Sequence, residues 1–171
     1  MKTNNYFKVH NPYDGSELGD VVNYNSRQII DCLNSCCNNK IKLSKEKRLE
    51  AIDELTRTLK RKKNEISRLI SQESGLALKD TVHEVDRTIN LLILARKYLL
   101  IDTNDLSLIF KDNKEKPFLS VKKHPMELVY AISPFNHPLN QVAHKTIPNI
   151  IANSNIVLKP SSKTPLTAMY F

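Results

Sequence analysis

Two short segments, Tyr6-Phe7-Lys8-Val9-His10 and Leu18-Gly19-Asp20-Val21-Val22, flank Asn11-Pro12-Tyr13-Asp14-Gly15, whose Asp-Gly pair suits a turn with positive φ. A β-hairpin over residues 1–24 follows from that pattern. The period then changes to helical spacing. A first helix is predicted from about Ser26, taken as the N-cap, with Ile29, Ile30, Leu33 and Cys37 on one stripe. Ser44 caps a second, longer helix whose stripe is Leu49, Ile52, Leu55 and Leu59, continued by Ile66, Leu69 and Ile70, with Gly75 as its stop. A third spans about Leu78 to Leu100, with Val82, Val85, Ile89, Leu92, Ile93 and Leu99 facing inward. Residues 25–104 thus form a helical segment.

Beyond it the pattern turns to strands. Leu106–Phe110 and Phe118–Val121 form an antiparallel pair within 105–125, joined by a polar turn that ends at Pro117. Leu128-Val129-Tyr130-Ala131-Ile132 is an unbroken apolar run, which predicts a strand buried on both faces of a parallel sheet. A helix from Leu139 to about Ala152 follows, with a kink or break expected at Pro148. Asn155-Ile156-Val157-Leu158-Lys159 is a second buried strand, and another helix starts at Thr164 or Pro165. Strand, helix and strand over 126–171 make a right-handed βαβ unit, so the fold class is α/β: N-terminal helices plus the start of a doubly wound parallel sheet. Two parallel strands alone are not a stable sheet, and the chain is expected to stop partway through such a domain.

Composition narrows the chemistry. The chain has 171 residues, a formal net charge of +8 and only three glycines, Gly15, Gly19 and Gly75. Neither a Gly-x-Gly-x-x-Gly dinucleotide turn nor a Gly-x-x-x-x-Gly-Lys phosphate loop can be present. The basic stretch Lys40–Lys63 is interleaved with Glu46, Glu50, Asp53 and Glu54 and has no aromatic residue on which a base could stack. It reads as a solvated helix face, and no nucleic acid is expected as a partner. Cys32, Cys36 and Cys37 lack the spacing of a disulfide framework or a zinc site, and Cys32 and Cys36, one turn apart, are expected to pack on a buried face. Met1–Asn5 has no apolar signal core and no run approaches the roughly 18 apolar residues of a membrane span, so a cytoplasmic protein without membrane contact is expected.

In open α/β sheets ligands bind beyond the carboxyl ends of the strands. Two proline-stiffened loops lie there: Ser133-Pro134-Phe135-Asn136-His137-Pro138-Leu139 and Lys159-Pro160-Ser161-Ser162-Lys163-Thr164-Pro165-Leu166. Asn136, Lys159 and the serines supply donors for hydroxyl or phosphate groups. Read from the residues alone, an anion or nucleotide site and a pair of plain turn-rich loops are both open.

These segments, with Asn11-Pro12-Tyr13-Asp14-Gly15 and Glu84-Val85-Asp86-Arg87, resemble the N-terminal part of the NAD(P)-dependent aldehyde dehydrogenase superfamily. Their order and spacing agree with that family over nearly the whole chain. The resemblance implies oxidation of an aldehyde to a carboxylic acid with NAD or NADP, a small-molecule aldehyde partner, and a homo-oligomer, dimer or tetramer, to which the 105–125 strands would contribute. It implies that Asn136 lends its amide to an oxyanion hole. Lys159 would bond the adenosine ribose, Ile132, Ser133, Pro134 and Phe135 would line the cofactor cleft, and Ser161 and Ser162 would lie beside the ribose. Ser162 stands where NAD-preferring members often carry Glu, which implies acceptance of NADP. The segment from Asn136 to Lys145 looks most like members acting on small hydroxy- or phospho-aldehydes. His137 is expected to be a loop residue, and Arg87 to sit in a structural ion pair or at the substrate.

Two departures from the family pattern stand out. Glu127 and Ser154 replace glycines before the two parallel strands, and strain is expected wherever such a position needs positive φ. The family's catalytic cysteine, general-base glutamate and Gly-Ser-Thr turn match nothing in the chain, so it is not expected to be active alone. The expectation is the first third of such an enzyme, from a truncated gene, a split gene or an incomplete sequence. The rival readings are a non-catalytic helical interaction protein and a basic nucleic-acid-binding module.

Overall fold

A computed structural model describes residues 5–39, 42–101, 108–111, 114, 117–121 and 124–171. The hairpin forms as predicted: β1 (Asn5–His10) and β2 (Glu17–Asn23) pair antiparallel. Its turn is closed by local polar groups. Asn11 Oδ1 accepts from the Tyr13 N–H at 3.0 Å, Asp14 Oδ1 accepts from the Ser16 N–H at 2.9 Å, and Gly15 adopts φ +71°. Such side-chain-to-backbone bonds are why Asn and Asp favour turns.

Helix α1 (Ser26–Asn38) is capped by Asn25, one residue before the predicted cap. Asn25 Oδ1 accepts from the Gln28 N–H at 3.0 Å and Gln28 Oε1 accepts from the Asn25 N–H at 2.9 Å, a reciprocal pair that Ser26 and Ile29 could not make. None of its residues is buried: Ile29 and Ile30 are exposed, as are Cys32 and Cys37, and Cys36 is half-buried. The buried face expected for Cys32 and Cys36 is therefore absent. Helix α1 instead lies over the second parallel strand, where the Asn155 side-chain amide donates to the Cys36 and Asn39 carbonyls at 3.0 and 2.9 Å.

The predicted long helix is two. Helix α2 (Lys45–Arg61), capped by Ser44, ends at Lys62, and α3 (Lys63–Ser74) begins directly after it. Lys62 leaves helical geometry at φ −103° and ψ 18°. Charge explains the position: Lys60 and Arg61 fill the last turn of α2 and Glu65 the first turn of α3, each sign matched to its helix end. Gly75 closes α3 at φ +76°, as expected, and its α-carbon faces the hairpin's Pro12 closely enough that a β-carbon would stand 3.2 Å from that ring. Helix α4 (Leu78–Leu100) has the predicted bounds, although Ile93 lies at the surface.

Ile52 and Leu59 of α2, Ile66 and Ile70 of α3 and Leu92 of α4 are buried in one core. The same cluster takes in Leu139, Ala143 and Ile147 of α5 (Pro138–Ala152). Helix α5 runs unbroken through Pro148, with Ile147 fully buried beside it. On the basic helices, ion pairs join Arg57 to Glu54 at 2.7 Å and Lys63 to Asp86 at 2.7 Å, and Arg96 of α4 pairs with Asp53 at 2.8 Å.

Strands β3 (Leu108–Lys111) and β4 (Pro117–Val121) are antiparallel, while Leu106, Ser107 and most of the predicted turn lie outside the described residues. Strands β5 (Leu128–Ile132) and β6 (Asn155–Lys159) are parallel and joined through α5, the predicted βαβ unit, and α6 (Pro165–Tyr170) follows. The two-sided burial expected for β5 is not found. Ala131 is buried, whereas Tyr130 and Ile132, on the opposite face by two-residue alternation, are 51% and 59% exposed. The described elements cover one face of this sheet. Among the described residues other than glycine, Asn153 alone has positive φ, at 61°, so the strain expected at Glu127 and Ser154 is absent. Asn153 takes the left-handed turn itself, and its side chain bonds both the N–H and the carbonyl of Leu43, at 3.0 and 2.9 Å.

Candidate cofactor and oxyanion site

The strand register fixes the site. Ile132 is the register partner of Lys159, so β5 and β6 end at the same level. One residue further on, the Ser133 N–H donates to the Lys159 carbonyl at 3.2 Å. The loops that leave these strands meet again through side chains, the Lys163 ammonium standing 4.5 Å from the centre of the Phe135 ring. Asn136 follows Phe135 directly and is exposed. Lys159 and Ser162 are also exposed, and Ser161 is half-buried with its hydroxyl accepting from the Lys163 N–H at 3.2 Å. The sequence-derived residues of both loops thus lie together at one end of the sheet. Ser133 differs from expectation, for it is buried and ties the two strands together.

Each loop feeds a helix that begins with proline. Pro138 and Pro165 have no N–H to orphan, which suits the first helical position. The next two N–H groups of each helix need acceptors, and the cap residues His137 and Thr164 provide none from their side chains. Remote carboxyl groups take their place. Glu84 of α4 accepts from the Leu139 and Asn140 N–H groups, both at 2.9 Å and both on Oε1. Glu73 of α3 accepts from the Leu166 N–H on Oε1 and, on Oε2, from the Thr167 N–H at 2.9 Å and the Thr167 hydroxyl at 2.6 Å. Both glutamates are 2% exposed. Glu84 Oε2 also faces His137 Nδ1 at 3.6 Å.

Sequence reasoning noticed Glu84 only as part of a resemblance and missed Glu73. The signal was present. Glu73 falls on the stripe of Ile66 and Ile70, and Glu84 lies between Thr81 and Thr88, all of them buried, so each carboxyl occupies an inward helical position. Arg87, in the same stretch as Glu84, is exposed.

Burial pushes the Glu73 carboxyl above its ordinary value of 4.5, against the opposing pull of the Thr167 hydroxyl and the Thr167 and Leu166 N–H groups. The folded state then binds this proton more tightly than the unfolded chain does. Its stabilising contribution is complete below the unfolded value and is lost as pH rises through the raised folded one. The melting temperature of the wild type, measured against that of Glu73→Gln, is expected to fall as pH rises above the ordinary carboxyl value of 4.5. A gap that widens in favour of the wild type over that range would show the ionised form to be the favoured one.

The loops suit a nucleotide cofactor. Lys159 and Ser162 offer exposed donors at the strand ends, and Ile132 and Phe135 (59% and 46% exposed) offer apolar surface beside them. No group of metal-ligating side chains occurs among the described residues. No helix among them is long and apolar enough to cross a membrane. Cys36 of α1 meets β6 at Asn155, its first residue, whereas the loops leave from Lys159, its last. A groove of about 460 Å³ lined by Glu65, Arg68, Leu69, Gln72 and Tyr170 contains none of the loop residues.

A parallel βαβ unit backed by a helical layer, with two donor-bearing loops at the strand ends, defines the opening part of an α/β domain. The chain belongs to the aldehyde dehydrogenase family, whose family model matches residues 1–171. It is 35% identical over 128 residues to a lactaldehyde dehydrogenase of Methanococcus maripaludis, a match covering 75% of this chain and 26% of that protein. Among solved structures it resembles the NADP complex of glyceraldehyde-3-phosphate dehydrogenase from Methanocaldococcus jannaschii, with a TM-score of 0.84 and 25% identity over 99% of this chain and 37% of that one. Aldehyde dehydrogenase 21 from Physcomitrella patens, solved with its reaction product succinate, gives a TM-score of 0.83 and 27% identity, over 99% of this chain and 36% of that one. The chain therefore spans between a quarter and two-fifths of the length of these relatives.

Proposed function

We propose that this chain forms the cofactor-side part of an enzyme that oxidises a small hydroxy- or phospho-aldehyde to its acid with NAD or NADP. The observation that carries the reading is the shared strand end: the bond from the Ser133 N–H to the Lys159 carbonyl and the Phe135–Lys163 contact bring the two loops together. The relatives support the substrate class, since they include a lactaldehyde and a glyceraldehyde-3-phosphate dehydrogenase.

In this reading Lys159, Ser161 and Ser162 hold the adenosine ribose, while Ile132, Ser133, Pro134 and Phe135 form the wall of the cleft. When bound between these loops, a nicotinamide coenzyme would supply the hydride acceptor. Asn136 donates its amide N–H to the oxygen that becomes negative when a thiolate attacks the aldehyde. An amide donates without titrating, so the donor persists across the working pH range. Cys36 of α1 meets β6 at the opposite end from these loops.

Joining this chain to the remaining part of the Methanococcus maripaludis enzyme tests the reading by aldehyde-dependent reduction of NAD and NADP. Ser162 is neutral and exposed, so a 2′-phosphate meets no carboxylate there. The joined enzyme is expected to use NADP, and Ser162→Glu to shift the kcat/KM ratio toward NAD by about 10- to 100-fold through like-charge repulsion. A wild-type ratio already strongly favouring NAD, unmoved by the substitution, would refute the role given to Ser162.

A further inference from the structure

The two loops are built on the same plan. Each runs from a strand into a Pro-Leu pair, Pro138-Leu139 or Pro165-Leu166, at the start of a helix whose own cap residue leaves the first N–H groups unfilled. In each case a buried glutamate from the helical layer fills them, Glu84 from α4 and Glu73 from α3. The bonds span 55 and 56 residues for Glu84 and 93 and 94 for Glu73, so neither is a local cap. A side-chain bond from Asn140 Nδ2 to Thr88 Oγ1 at 3.4 Å adds a second tie between α4 and α5.

We propose that Glu84 and Glu73 are independent positioning residues, Glu84 setting the loop that carries Asn136 and Glu73 setting the loop that carries Lys159, Ser161 and Ser162. The proposal rests on the functional reading above for the meaning of the loops, but not for their anchoring. Asn136 lies three residues before Leu139, and Ser162 four before Leu166, so the anchored N–H groups fix the helix-side end of each loop, while the other end of the second loop, at Lys159, is held by β6. Because the two carboxyl groups come from different helices, loss of one leaves the other loop in place.

The anchoring is read by backbone amide hydrogen exchange on the 171-residue chain. In Glu84→Ala, the Leu139 and Asn140 amides are expected to exchange about tenfold faster or more, with Leu166 and Thr167 within about twofold of wild type. Glu73→Ala is expected to do the reverse. Faster exchange throughout the chain, or in both loops for either variant, overturns the proposal. Should an alanine variant fail to fold, the glutamine variants decide. Glu84 uses one oxygen for both N–H groups, so Glu84→Gln is expected to keep protection at Leu139 and Asn140. Glu73 uses both oxygens, so Glu73→Gln is expected to lose it at Leu166 or Thr167. Equal behaviour of the two glutamine variants overturns the proposal.

A second readout separates positioning from simple support. In the joined enzyme Glu84→Ala is expected to lower kcat by about tenfold or more while the cofactor KM holds, because small displacements of a reacting-site group slow the chemistry steeply. Glu73→Ala is expected to raise the cofactor KM while kcat holds. Equal losses of both quantities in both variants count against positioning. An inactive wild-type joined enzyme would count against the functional reading alone, since the exchange pattern decides the anchoring by itself.

Discussion

Replacing Asn136 with alanine in the joined enzyme is expected to lower kcat by about 10²–10³, the usual consequence of removing one oxyanion donor. The side chain is exposed on the loop between β5 and α5, so its loss creates no cavity and leaves the fold intact. The loop itself stays anchored through Leu139 and Asn140 on Glu84. The cofactor KM should therefore change little, because Lys159 and the serines leave from the neighbouring strand. Steady-state kinetics with saturating NADP checks this, and a kcat within about threefold of wild type would return Asn136 to the status of an ordinary turn residue. Asn136→Gln is a useful companion, since it keeps the amide but moves it by a methylene.

The second large effect is on stability. Leu92 is fully buried in the cluster that joins α2, α3, α4 and α5. Leu92→Ala is expected to cost about 2–5 kcal/mol, combining lost burial with the cavity left behind. For a domain of this size that lowers the melting temperature by roughly 5–15 °C. Two residues along, Leu94 is 62% exposed, and Leu94→Ala should fall within about 0.5 kcal/mol of wild type. Thermal and urea unfolding followed by circular dichroism compare the pair. Equal effects would mean that α4 is rotated relative to the packing described here.

Local features were legible in the sequence because local physics sets them. The bounds of α4, the Ser44 cap, the Gly75 stop and the Asp-Gly hairpin each depend on neighbours a few residues away. The βαβ unit was legible for a similar reason, as two apolar runs of strand length flank a helical stripe. Where several local options competed, the sequence was less decisive. Asn25 and Ser26 are both good caps, and only the reciprocal bond with Gln28 separates them. The end of α2 at Lys62 carries no Gly or Pro signal and rests on the charges of Lys60, Arg61 and Glu65.

Tertiary features were harder to read. Nothing local says that Tyr130 and Ile132 stay open, since burial depends on what packs against the strand. Nor could a missing glycine at Ser154 show that Asn153 would take the left-handed turn one residue earlier. In the candidate site, the strand reading placed Asn136 and Lys159 on loops that the register of β5 and β6 brings together, and resemblance supplied their expected roles. The buried glutamates escaped because a carboxyl on an apolar stripe looks like an exception until its partners, more than 50 residues distant, are seen.

That each strand-to-helix loop hangs from its own carboxyl hook gives the molecule a modular design. Under the proposed roles, residues 160–162 would be open to rewriting for coenzyme choice while the segment around Asn136 keeps its own anchor, provided Glu73, Glu84, the two Pro-Leu steps and the Phe135–Lys163 contact are kept. Lineages diverging in substrate or coenzyme would then be free to vary these stretches separately while the hooks stay constant.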